Sequence, residues 1–290
     1  MKILRTVREL REALAEPRAA GAAVGMVPTM GALHEGHLSL VRAARAENAV
    51  VVLSIFVNPT QFTEAADLAA YPRTEETDAA LAASAGVDIV FAPDAAEMYP
   101  AGYATTVSVR GPITETLEGA GRGSAHFDGV ATVVSKLLLA ALPDAAYFGR
   151  KDAQQLLVVQ RMVADLGIPT RIVPCPTLRD ADGLALSSRN ARLSGEDRAR
   201  ALAIPRALEA VSAAVLSGET GVAALRARAG EVLIASDLEV EYLAFVDPDT
   251  LEEVATAERP VLCAIAARAG AVRLIDNVLL GRDPERREED

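Results

Sequence analysis

Short aliphatic runs alternate with longer amphipathic stretches over the first 177 residues. After a charged N-terminal segment that predicts a helix (residues 1–16), the aliphatic runs predict five strands, at Ala22–Val27, Val50–Val57, Val87–Phe91, Ala145–Phe148 and around Ile172–Val173. Apolar residues at helical spacing predict helices between them, at Leu38–Glu47, Thr74–Ala85, Val130–Ala141 and Ala153–Leu166. This alternation predicts a parallel sheet with helices on both faces, where ligands bind beyond the carboxyl ends of the strands.

The pattern changes beyond about residue 177. A polar segment leads into two Ala-rich helical stretches, Glu196–Leu216 and Gly221–Ala235. Three strand-like runs follow, at Val240–Val246, Val261–Ala266 and Val272–Ile275. The sequence therefore predicts an α/β protein with a Rossmann-like parallel-sheet domain over residues 1–177 and a smaller α+β C-terminal domain over residues 178–290.

The composition argues against several classes of protein. Hydrophobic residues make up 51% of the 290 residues, but aromatic residues only 4%, so the core must be aliphatic. The formal net charge of −11 argues against nucleic acid as a partner, because phosphate backbones are bound by cationic surfaces. No apolar run has the length of a membrane span, and no signal peptide is visible. The lone cysteines Cys175 and Cys263 indicate a reduced, cytoplasmic protein.

The first candidate site is the segment PTMGALHEGHL, Pro28–Leu38, which follows a strand and opens a helix. A helix N-terminus suits a phosphate chain because its N–H groups are unpaired and carry partial positive charge. His34 and His37 share one face of the first turn. Their imidazoles can donate hydrogen bonds to oxygens that gain charge during phosphoryl or nucleotidyl transfer, and one could transfer a proton. Helix capping is one alternative; zinc is a weaker one, because HEGH lacks the spacing of HExxH.

Two further segments also stand at strand ends. In NPTQF, Asn58–Phe62, side-chain amides can donate to a carboxylate, although Asn-Pro also marks ordinary turns. In FGRKDAQQL, Phe148–Leu156, Gly149 lets the backbone approach a ligand and Lys151 supplies a compact charge for phosphate. Gln155 lies one turn after Lys151 and can point at the same cleft. A solvated helix start is the alternative for this third segment.

The fourth segment is DGLALSSRN, Asp182–Asn190, in the second domain. Two hydroxyls and a guanidinium in sequence suit a mobile anion clamp that closes over a triphosphate. A surface loop with helix-capping serines is the alternative.

These four segments, in this order, resemble the pantoate–β-alanine ligase family. The similarity extends from the N-terminal helix to Leu274–Asn277. The HxGH and SSRN segments alone resemble the signature motifs of the wider HxGH nucleotidyltransferase superfamily, which includes class I aminoacyl-tRNA synthetases. All four segments together are specific to the ligase family.

The resemblance implies a ligase of pantothenate biosynthesis, on the coenzyme A pathway. The carboxylate of (R)-pantoate would attack the α-phosphate of ATP, giving pantoyl adenylate and pyrophosphate. The β-alanine amine would then attack the acyl carbon, giving pantothenate and AMP. The resemblance also implies a homodimer and Mg²⁺ that travels with ATP, held mostly by phosphate oxygens and water, so that the sequence need not show a dedicated metal site.

Site residues are also implied by the resemblance. The residues that would bind ATP are Met30, Gly31, Ala32, Leu33, His34, Glu35, Gly36, His37, Gly149, Arg150, Lys151, Asp152, Leu178, Leu186, Ser187, Ser188 and Arg189. Gln61 and Gln155 would hold pantoate, with Pro28, Thr29 and Asn58 also at the substrate and Gln61 near β-alanine. The catalytic residues would be His34, His37, Lys151, Ser187, Ser188 and Arg189. His37 matches the family's proton donor, and residues 178–290 would act as a lid.

The chain departs from the family pattern at two positions. Asp128 stands in HFDGV where some members have Arg, and Arg150 stands in FGRKD where some have Glu. Three other functions stay open: a nucleotidylyltransferase that transfers AMP to another small acceptor, a fragment of an aminoacyl-tRNA synthetase, and a non-catalytic nucleotide-binding module. The two glutamines favour the ligase, and the acidic balance weighs against tRNA binding.

Overall fold

The computed structural model describes residues 1–62 and 65–281. The chain divides into two compact units, Met1–Thr177 and Leu178–Asp290. A search of the described residues found no helix with both the length and the apolarity needed to span a membrane.

The first unit alternates strands and helices. Its described strands are β1 (Lys2–Leu4), β2 (Val24–Thr29), β3 (Val50–Ile55), β4 (Ile89–Phe91), β5 (Ala145–Gly149) and β6 (Arg171–Cys175). Its described α-helices are α1 (Val7–Ala19), α2 (Glu35–Glu47), α3 (Ala65–Ala70), α4 (Glu75–Ser84), α5 (Ala95–Met98), α6 (Pro112–Glu115), α7 (Glu118–Arg122), α8 (Ser124–Ala141) and α9 (Ala153–Leu166). Short 3₁₀ turns follow β3 and β5, at Pro59–Gln61 and Arg150–Asp152.

The described strands of this unit form one parallel sheet in the order β1-β4-β3-β2-β5-β6. From β2 the chain builds outward through β3 and β4, then returns to place β5 on the other side of β2. The strand order therefore reverses between β2 and β5, and ligands of open α/β sheets bind beyond the carboxyl ends of the strands at such a point. The segments that follow β2 and β5 are the ones that carry the histidine pair and Lys151.

The predicted α/β fold with a Rossmann-like sheet is confirmed, with one error at the N-terminus. Residues Lys2–Leu4 form β1 rather than the start of a helix, and pair in parallel with β4. The strand is only three residues long and mostly exposed at the edge of the sheet, so it has no buried apolar run to reveal it. Helices α2 and α8 also begin before the predicted Leu38 and Val130, because their first turns are polar.

The second unit has a helical part and an antiparallel sheet, as an α+β domain should. Its described helices are α10 (Gly195–Ala201), α11 (Ala203–Leu216) and α12 (Val222–Ile234), with a 3₁₀ turn at Ser188–Arg192. Strands β7 (Glu239–Val246), β8 (Val261–Ala269) and β9 (Val272–Leu280) form the described sheet in that order.

A break at Leu202 divides the single helix predicted over Glu196–Leu216 into α10 and α11. Pro205 is the third residue of α11, where its missing N–H cannot bond back into α10 and its ring would clash with the carbonyl four residues earlier. The helix therefore restarts at Ala203. Strands β8 and β9 are both longer than predicted, because their pairing in one hairpin extends to polar residues.

Candidate active site

The two histidines of the HEGH segment lie against each other at the start of α2. Their ring centroids are 4.1 Å apart. His34 is the N-cap residue, and its Nδ1 accepts a hydrogen bond from the backbone N–H of Gly36 at 3.1 Å. The Nδ1 atom of His37 accepts in turn from the backbone N–H of His34 at 3.3 Å. The capping alternative is therefore realised, by one nitrogen of each ring.

These two bonds also define which ring nitrogen carries the proton. A neutral imidazole whose Nδ1 accepts must carry its hydrogen on Nε2. Burial, and secondarily the neighbouring His34, lower the pKa of His37 from 6.5 to about 3. His37 is thus neutral near pH 7, and its Nε2–H is a hydrogen-bond donor rather than an acid. Capping and ligand binding are compatible because they use different nitrogens.

The turn between β2 and α2 is held by local bonds and by one distant carboxylate. The hydroxyl of Thr29 donates to the carbonyl of Ser54 at 2.6 Å and accepts from the N–H of Gly31 at 3.2 Å. Gly31 and Ala32 both have left-handed backbone, with φ of +85° and +50°. The buried carboxylate of Asp78 on α4 accepts from the N–H groups of Ala32 and Leu33. Asp78 is a residue that the sequence did not single out.

The Asn58–Phe62 segment packs against α8 and reaches the turn after β2. Gln61 Nε2 donates to the sulfur of Met30 at 3.1 Å, which joins the second candidate segment to the first. The backbone carbonyl of Gln61 lies 2.7 Å from Nδ1 of His126, on α8. A Cβ on Gly129 would lie 2.5 Å from the carbonyl oxygen of Thr60, so only glycine allows α8 to approach this turn. His126 and Gly129 are positioning residues that sequence reasoning missed.

The two adjacent glutamines in the segment after β5, Gln154 and Gln155, have different surroundings. Gln154 is buried; its Nε2 donates to the carbonyls of Ile113 and Thr116, and its Oε1 accepts from the N–H of Glu118. Its amide is therefore used to hold α6 and α7. Gln155 is half-buried on the next position of α9. The structure thus assigns the first glutamine to the fold and leaves Gln155 as the candidate ligand residue.

Lys151 and Asp152 lie in the 3₁₀ turn between Gly149 and α9. Their charges reach His37 and act in opposite directions, since Asp152 raises its pKa and Lys151 lowers it. The turns that follow the neighbouring strands β2 and β5 therefore lie close enough for these charges to act on His37. Arg150, the departure noted in this segment, is half-buried in the same turn.

In the second unit, the DGLALSSRN segment is built as a short hairpin followed by a 3₁₀ turn. Arg179 and Ala185 form a bridge, and the N–H of Leu186 donates to the carbonyl of Leu178 at 2.9 Å. Ser187 caps the 3₁₀ turn by accepting from the N–H of Arg189 at 3.3 Å, as the capping alternative predicts for one of the two serines. Ser188 is half-buried and Arg189 is exposed.

Ion pairs anchor the base of this hairpin. Arg179 makes a bidentate pair with Asp276 on β9, with N–O distances of 2.6 and 3.0 Å. Arg198 on α10 bonds to both Asp180 and Asp182. Planar bidentate pairs fix orientation as well as distance. The residues before Ser187 are therefore held in place within the second unit.

The other departure from the family pattern, Asp128, has a partner. Arg110 makes a bidentate pair with its carboxylate, at 2.6 and 3.1 Å. Asp128 thus ties α8 to the segment before α6. No arginine side chain is supplied from this position.

A cavity of about 300 Å³ opens on the β3 side of the turn after β2. Its walls include Met30, Gly31, Phe56, Thr74 and Asp78. Of the predicted site residues it touches only Met30 and Gly31, and neither Gln61 nor Gln155 lines it.

The described residues contain no cluster of three or more His, Cys, Asp or Glu side chains that could hold a metal ion. A magnesium ion that enters with a nucleotide does not need such a cluster, because it keeps several water ligands and binds phosphate oxygens. The residues present are compatible with Mg²⁺ of that kind, and Asp152, whose charge acts on His37, is the carboxylate that would be available to it.

A parallel sheet, a histidine pair at a helix N-terminus and a lysine turn at the adjacent strand end together define a nucleotide-binding α/β enzyme. Comparison with known proteins gives the family. The profile of the family described as "Pantoate-beta-alanine ligase" matches residues 2–279. The chain therefore belongs to the pantoate–β-alanine ligase family.

Curated relatives and solved structures agree with this family. The chain is 55% identical over 277 residues to the pantothenate synthetase of Chelativorans sp., covering 95% of this chain and 96% of that one. It is 53% identical over 281 residues to that of Moorella thermoacetica, covering 97% and 99%. The crystal structure of the Thermus thermophilus enzyme matches with a TM-score of 0.90 and 50% identity, covering 96% and 99%. A Francisella tularensis pantoate–β-alanine ligase, solved in complex with "beta-gamma ATP" and β-alanine, matches with a TM-score of 0.79 and 34% identity, covering 96% and 97%.

Proposed function

We propose that this chain condenses (R)-pantoate with β-alanine to pantothenate, with ATP converted to AMP and pyrophosphate through a pantoyl adenylate. Membership of the ligase family over residues 2–279 supports this activity. The observation that carries it is that the histidine pair and the Lys151 turn follow adjacent parallel strands, β2 and β5, at the point where the strand order reverses. The chemistry needs such a site because a carboxylate has no usable leaving group until it is adenylated.

In the first step, a pantoate carboxylate oxygen forms a bond to the α-phosphorus, and the bond from that phosphorus to the bridging oxygen of pyrophosphate breaks. Negative charge develops on the phosphate oxygens as this happens. We assign the Nε2–H groups of His34 and His37, and the ammonium of Lys151, to those oxygens. Donors already in place when the charge develops lower the barrier without reorganisation.

His37 acts in this scheme as a neutral hydrogen-bond donor. A pKa of about 3 leaves almost no imidazolium at neutral pH. The family's proton-donor role would require the bound triphosphate to raise this pKa, as nearby negative charge does. The departing pyrophosphate does not require a proton from the protein at the moment the bond breaks.

Gln61 and Gln155 are proposed to bind pantoate. Amide N–H groups can donate to the carboxylate while amide oxygens accept from a hydroxyl. Holding pantoate in line with the α-phosphorus supplies much of the rate by positioning alone. The Pro28–Thr29 strand end is proposed to line the same subsite, although the hydroxyl of Thr29 already bonds to Ser54 and Gly31.

In the second step, the neutral amine of β-alanine attacks the acyl carbon, AMP leaves with the electrons of the acyl–oxygen bond, and the amine loses a proton. The mixed anhydride must be protected from water until then. We propose that Leu178, Leu186, Ser187, Ser188 and Arg189 bind ATP, and that the unit Leu178–Asp290 serves as a lid during turnover.

Three further properties belong to the proposal. Mg²⁺ would accompany ATP and neutralise part of the triphosphate charge. The protein would act in the cytoplasm, consistent with its two free, buried cysteines, Cys175 and Cys263. A homodimer is proposed on the family resemblance alone.

A product assay with ATP, Mg²⁺, pantoate and β-alanine, each omitted in turn, tests the function. We expect pyrophosphate release to require pantoate, and AMP release to require β-alanine as well. Pyrophosphate release that depends on a different acceptor would favour a nucleotidylyltransferase. ATP binding without AMP formation in the full mixture would indicate a non-catalytic nucleotide-binding module. Retention of tRNA on a filter would instead favour a fragment of an aminoacyl-tRNA synthetase.

A further inference from the structure

The side-chain amide of Asn58 has an unambiguous orientation. Its Oδ1 atom accepts from the hydroxyl of Tyr99 at 2.7 Å, from the hydroxyl of Thr60 at 2.9 Å and from the N–H of Thr60 at 3.3 Å. An NH₂ group in that position would face a backbone donor. The carbonyl end of the amide must therefore point at Tyr99 and Thr60.

The NH₂ end of the Asn58 amide bonds to the side chain of Gln61. Asn58 Nδ2 donates to Gln61 Oε1 at 3.0 Å and to the carbonyl of Gly129 at 3.1 Å. Both hydrogens of the Asn58 amide are then used, and the residue is 1% exposed. Asn58 was predicted to bind substrate directly, but its amide has no further hydrogen to donate. Its bonds instead hold the neighbouring glutamine.

The orientation of Gln61 follows from that contact. Its Oε1 faces the Asn58 NH₂ group, so its own NH₂ group faces the other way and donates to the sulfur of Met30. Rotating the Gln61 amide by half a turn would set two NH₂ groups against each other. Two facing donors lose their hydrogen bond and leave buried polar groups unpaired.

We infer that Tyr99 is a positioning residue: its hydroxyl, with the N–H and hydroxyl of Thr60, holds Asn58 so that the Gln61 amide keeps its N–H donors toward Met30, where we place the pantoate subsite. An ionised carboxylate only accepts hydrogen bonds, so a fixed donor favours it over a group that must donate. This inference rests on the proposed assignment of Gln61 to pantoate. It explains the orientation of the Gln61 amide and assigns a role to Tyr99, which lies 38 positions further along the chain.

Tyr99 itself is held from several sides. Its ring lies 6.2 Å from that of Phe56 and 5.0 Å from that of Tyr103, centroid to centroid. The ammonium of Lys136 lies 5.9 Å from the Tyr99 ring and 4.9 Å from the Tyr103 ring. Burial raises the pKa of Tyr99 above its usual value, so the hydroxyl stays protonated and remains a donor.

The test uses Tyr99→Phe, which removes only the hydroxyl, and Tyr103→Phe as its matched control. Tyr103 packs on Tyr99 but lies outside the described hydrogen bonds of Asn58. Steady-state KM values for pantoate, ATP and β-alanine are measured for both variants, for Gln61→Ala and for the double variant Tyr99→Phe/Gln61→Ala. We expect Tyr99→Phe to raise the KM for pantoate about fivefold, the scale of one net hydrogen bond, and to change the KM for ATP less than twofold. The control should match the wild type.

The double variant separates positioning through Gln61 from other effects. Once Gln61 is truncated, loss of the Tyr99 hydroxyl should cost nothing further, whereas additive losses would show that Tyr99 acts elsewhere and overturn the inference. A wild-type pantoate KM in Tyr99→Phe, with an impaired Gln61→Ala, would also overturn it and leave the Gln61 assignment standing. A normal pantoate KM in Gln61→Ala would instead contradict the assignment of Gln61 itself.

A second variant tests the contact between Asn58 and Gln61, on which the role of Tyr99 depends, and thermal unfolding first checks that both variants are folded. Asn58→Asp keeps an acceptor toward Tyr99 and Thr60 but replaces the donor that faces Gln61 and the carbonyl of Gly129 with an oxygen. We expect it to reverse the Gln61 amide and to raise the KM for pantoate by more than tenfold, with the KM for ATP less affected. Equal losses for the two substrates would count against the inference.

Discussion

Asp78 Oδ1 accepts a hydrogen bond from the backbone N–H of Leu33 at 2.8 Å, across 45 residues of sequence. Its Oδ2 accepts from the N–H of Ala32 at 2.9 Å and from the hydroxyl of Thr74 at 3.1 Å. A carboxylate on α4 thus occupies two successive N–H groups of the turn before the histidine pair. These two groups are already bonded to an anion, so in the proposed site the backbone N–H groups of Ala32 and Leu33 would not serve the oxygens of ATP.

We expect Asp78→Asn to destabilise the protein and to lower turnover. One carboxylate oxygen becomes an NH₂ group that faces a backbone N–H, in a residue that is 2% exposed. The loss of charge-assisted bonds at a buried site should cost about 2 kcal/mol or more of unfolding free energy. Urea denaturation measures it, with Glu76→Gln on the exposed face of α4 as the control. Equal midpoints for the two variants would contradict this role for Asp78.

The adjacent glutamines of α9 should give opposite results when each is replaced by alanine. Gln154→Ala leaves two carbonyls and one N–H without their partner, so we expect a loss of about 2 kcal/mol of unfolding free energy. Gln155→Ala should leave stability within about 0.5 kcal/mol of wild type but raise the KM for pantoate about tenfold or more, with the KM for ATP less affected. Thermal unfolding and steady-state kinetics on both variants check this. Equal losses of pantoate and ATP affinity in Gln155→Ala would exclude it from the pantoate subsite.

His37→Ala should slow adenylate formation by about 100-fold or more, the scale of one lost transition-state donor. Pyrophosphate release in a single turnover with pantoate measures that step without the second half-reaction. Loss of the bond from the His34 N–H should also lower stability, by about 1 kcal/mol. An unchanged single-turnover rate at saturating ATP would remove the catalytic role and leave only the capping role.

The anchor of the second unit's hairpin is also testable. Asp276 is 3% exposed and pairs with Arg179, so Asp276→Asn leaves a guanidinium without its carboxylate. We expect faster hydrogen exchange at the amides of Asp180 and Leu186, which close the hairpin. Asp237→Asn, at a side chain that is 94% exposed, is the matched control. Unaltered exchange in Asp276→Asn would mean that the pair does not hold the hairpin.

The elements that the sequence predicted best are those with a long periodic apolar face. Helix α9 has the predicted bounds because Leu156, Val159 and Val163 recur on one face and Gly167 ends it in left-handed backbone. Strand β1 was missed because its stability comes from pairing with β4 rather than from its own pattern. The break at Leu202 does have a signal in the sequence, because Pro205 is tolerated in the first turn of a helix but not in its interior.

In the candidate site, too, residues within a recognisable local motif could be predicted, whereas residues that act through distant contacts could not. His34, His37 and Lys151 were found because their chemistry stands in short segments at strand ends. Asp78 and Tyr99 act over 45 and 41 residues of sequence, through one bond to Leu33 and one to Asn58. Nothing in the spacing of their own segments marks them, so only the folded chain reveals them. The role of Asn58 could not be predicted either, because it depends on which way its amide points.

The depressed pKa of His37 leads to a prediction that NMR can check directly. A folded-state pKa of about 3 means that the ring stays neutral as the pH falls from 8 to 5. We expect the Cε1–H resonance of His37 to remain constant over that range, and its midpoint to move upward when ATP is added, because the triphosphate favours the imidazolium. Assignment is simple because the chain has three histidines, and His37→Ala removes one resonance.

The same pKa predicts how stability changes with pH. The unfolded chain takes up a proton at His37 below about pH 6.5, whereas the folded protein does not until about pH 3, so this residue makes folding less favourable as the pH falls between those values. Burial also lowers the pKa of His126, which adds a slope of the same sign. His37→Ala should therefore flatten the dependence of the urea midpoint on pH between about 6 and 4, without abolishing it. A wild-type His37 resonance that titrates near pH 6.5, or an unchanged slope in the variant, would show that folding does not lower the pKa of this ring, and the role of proton donor would then need no shift caused by ATP.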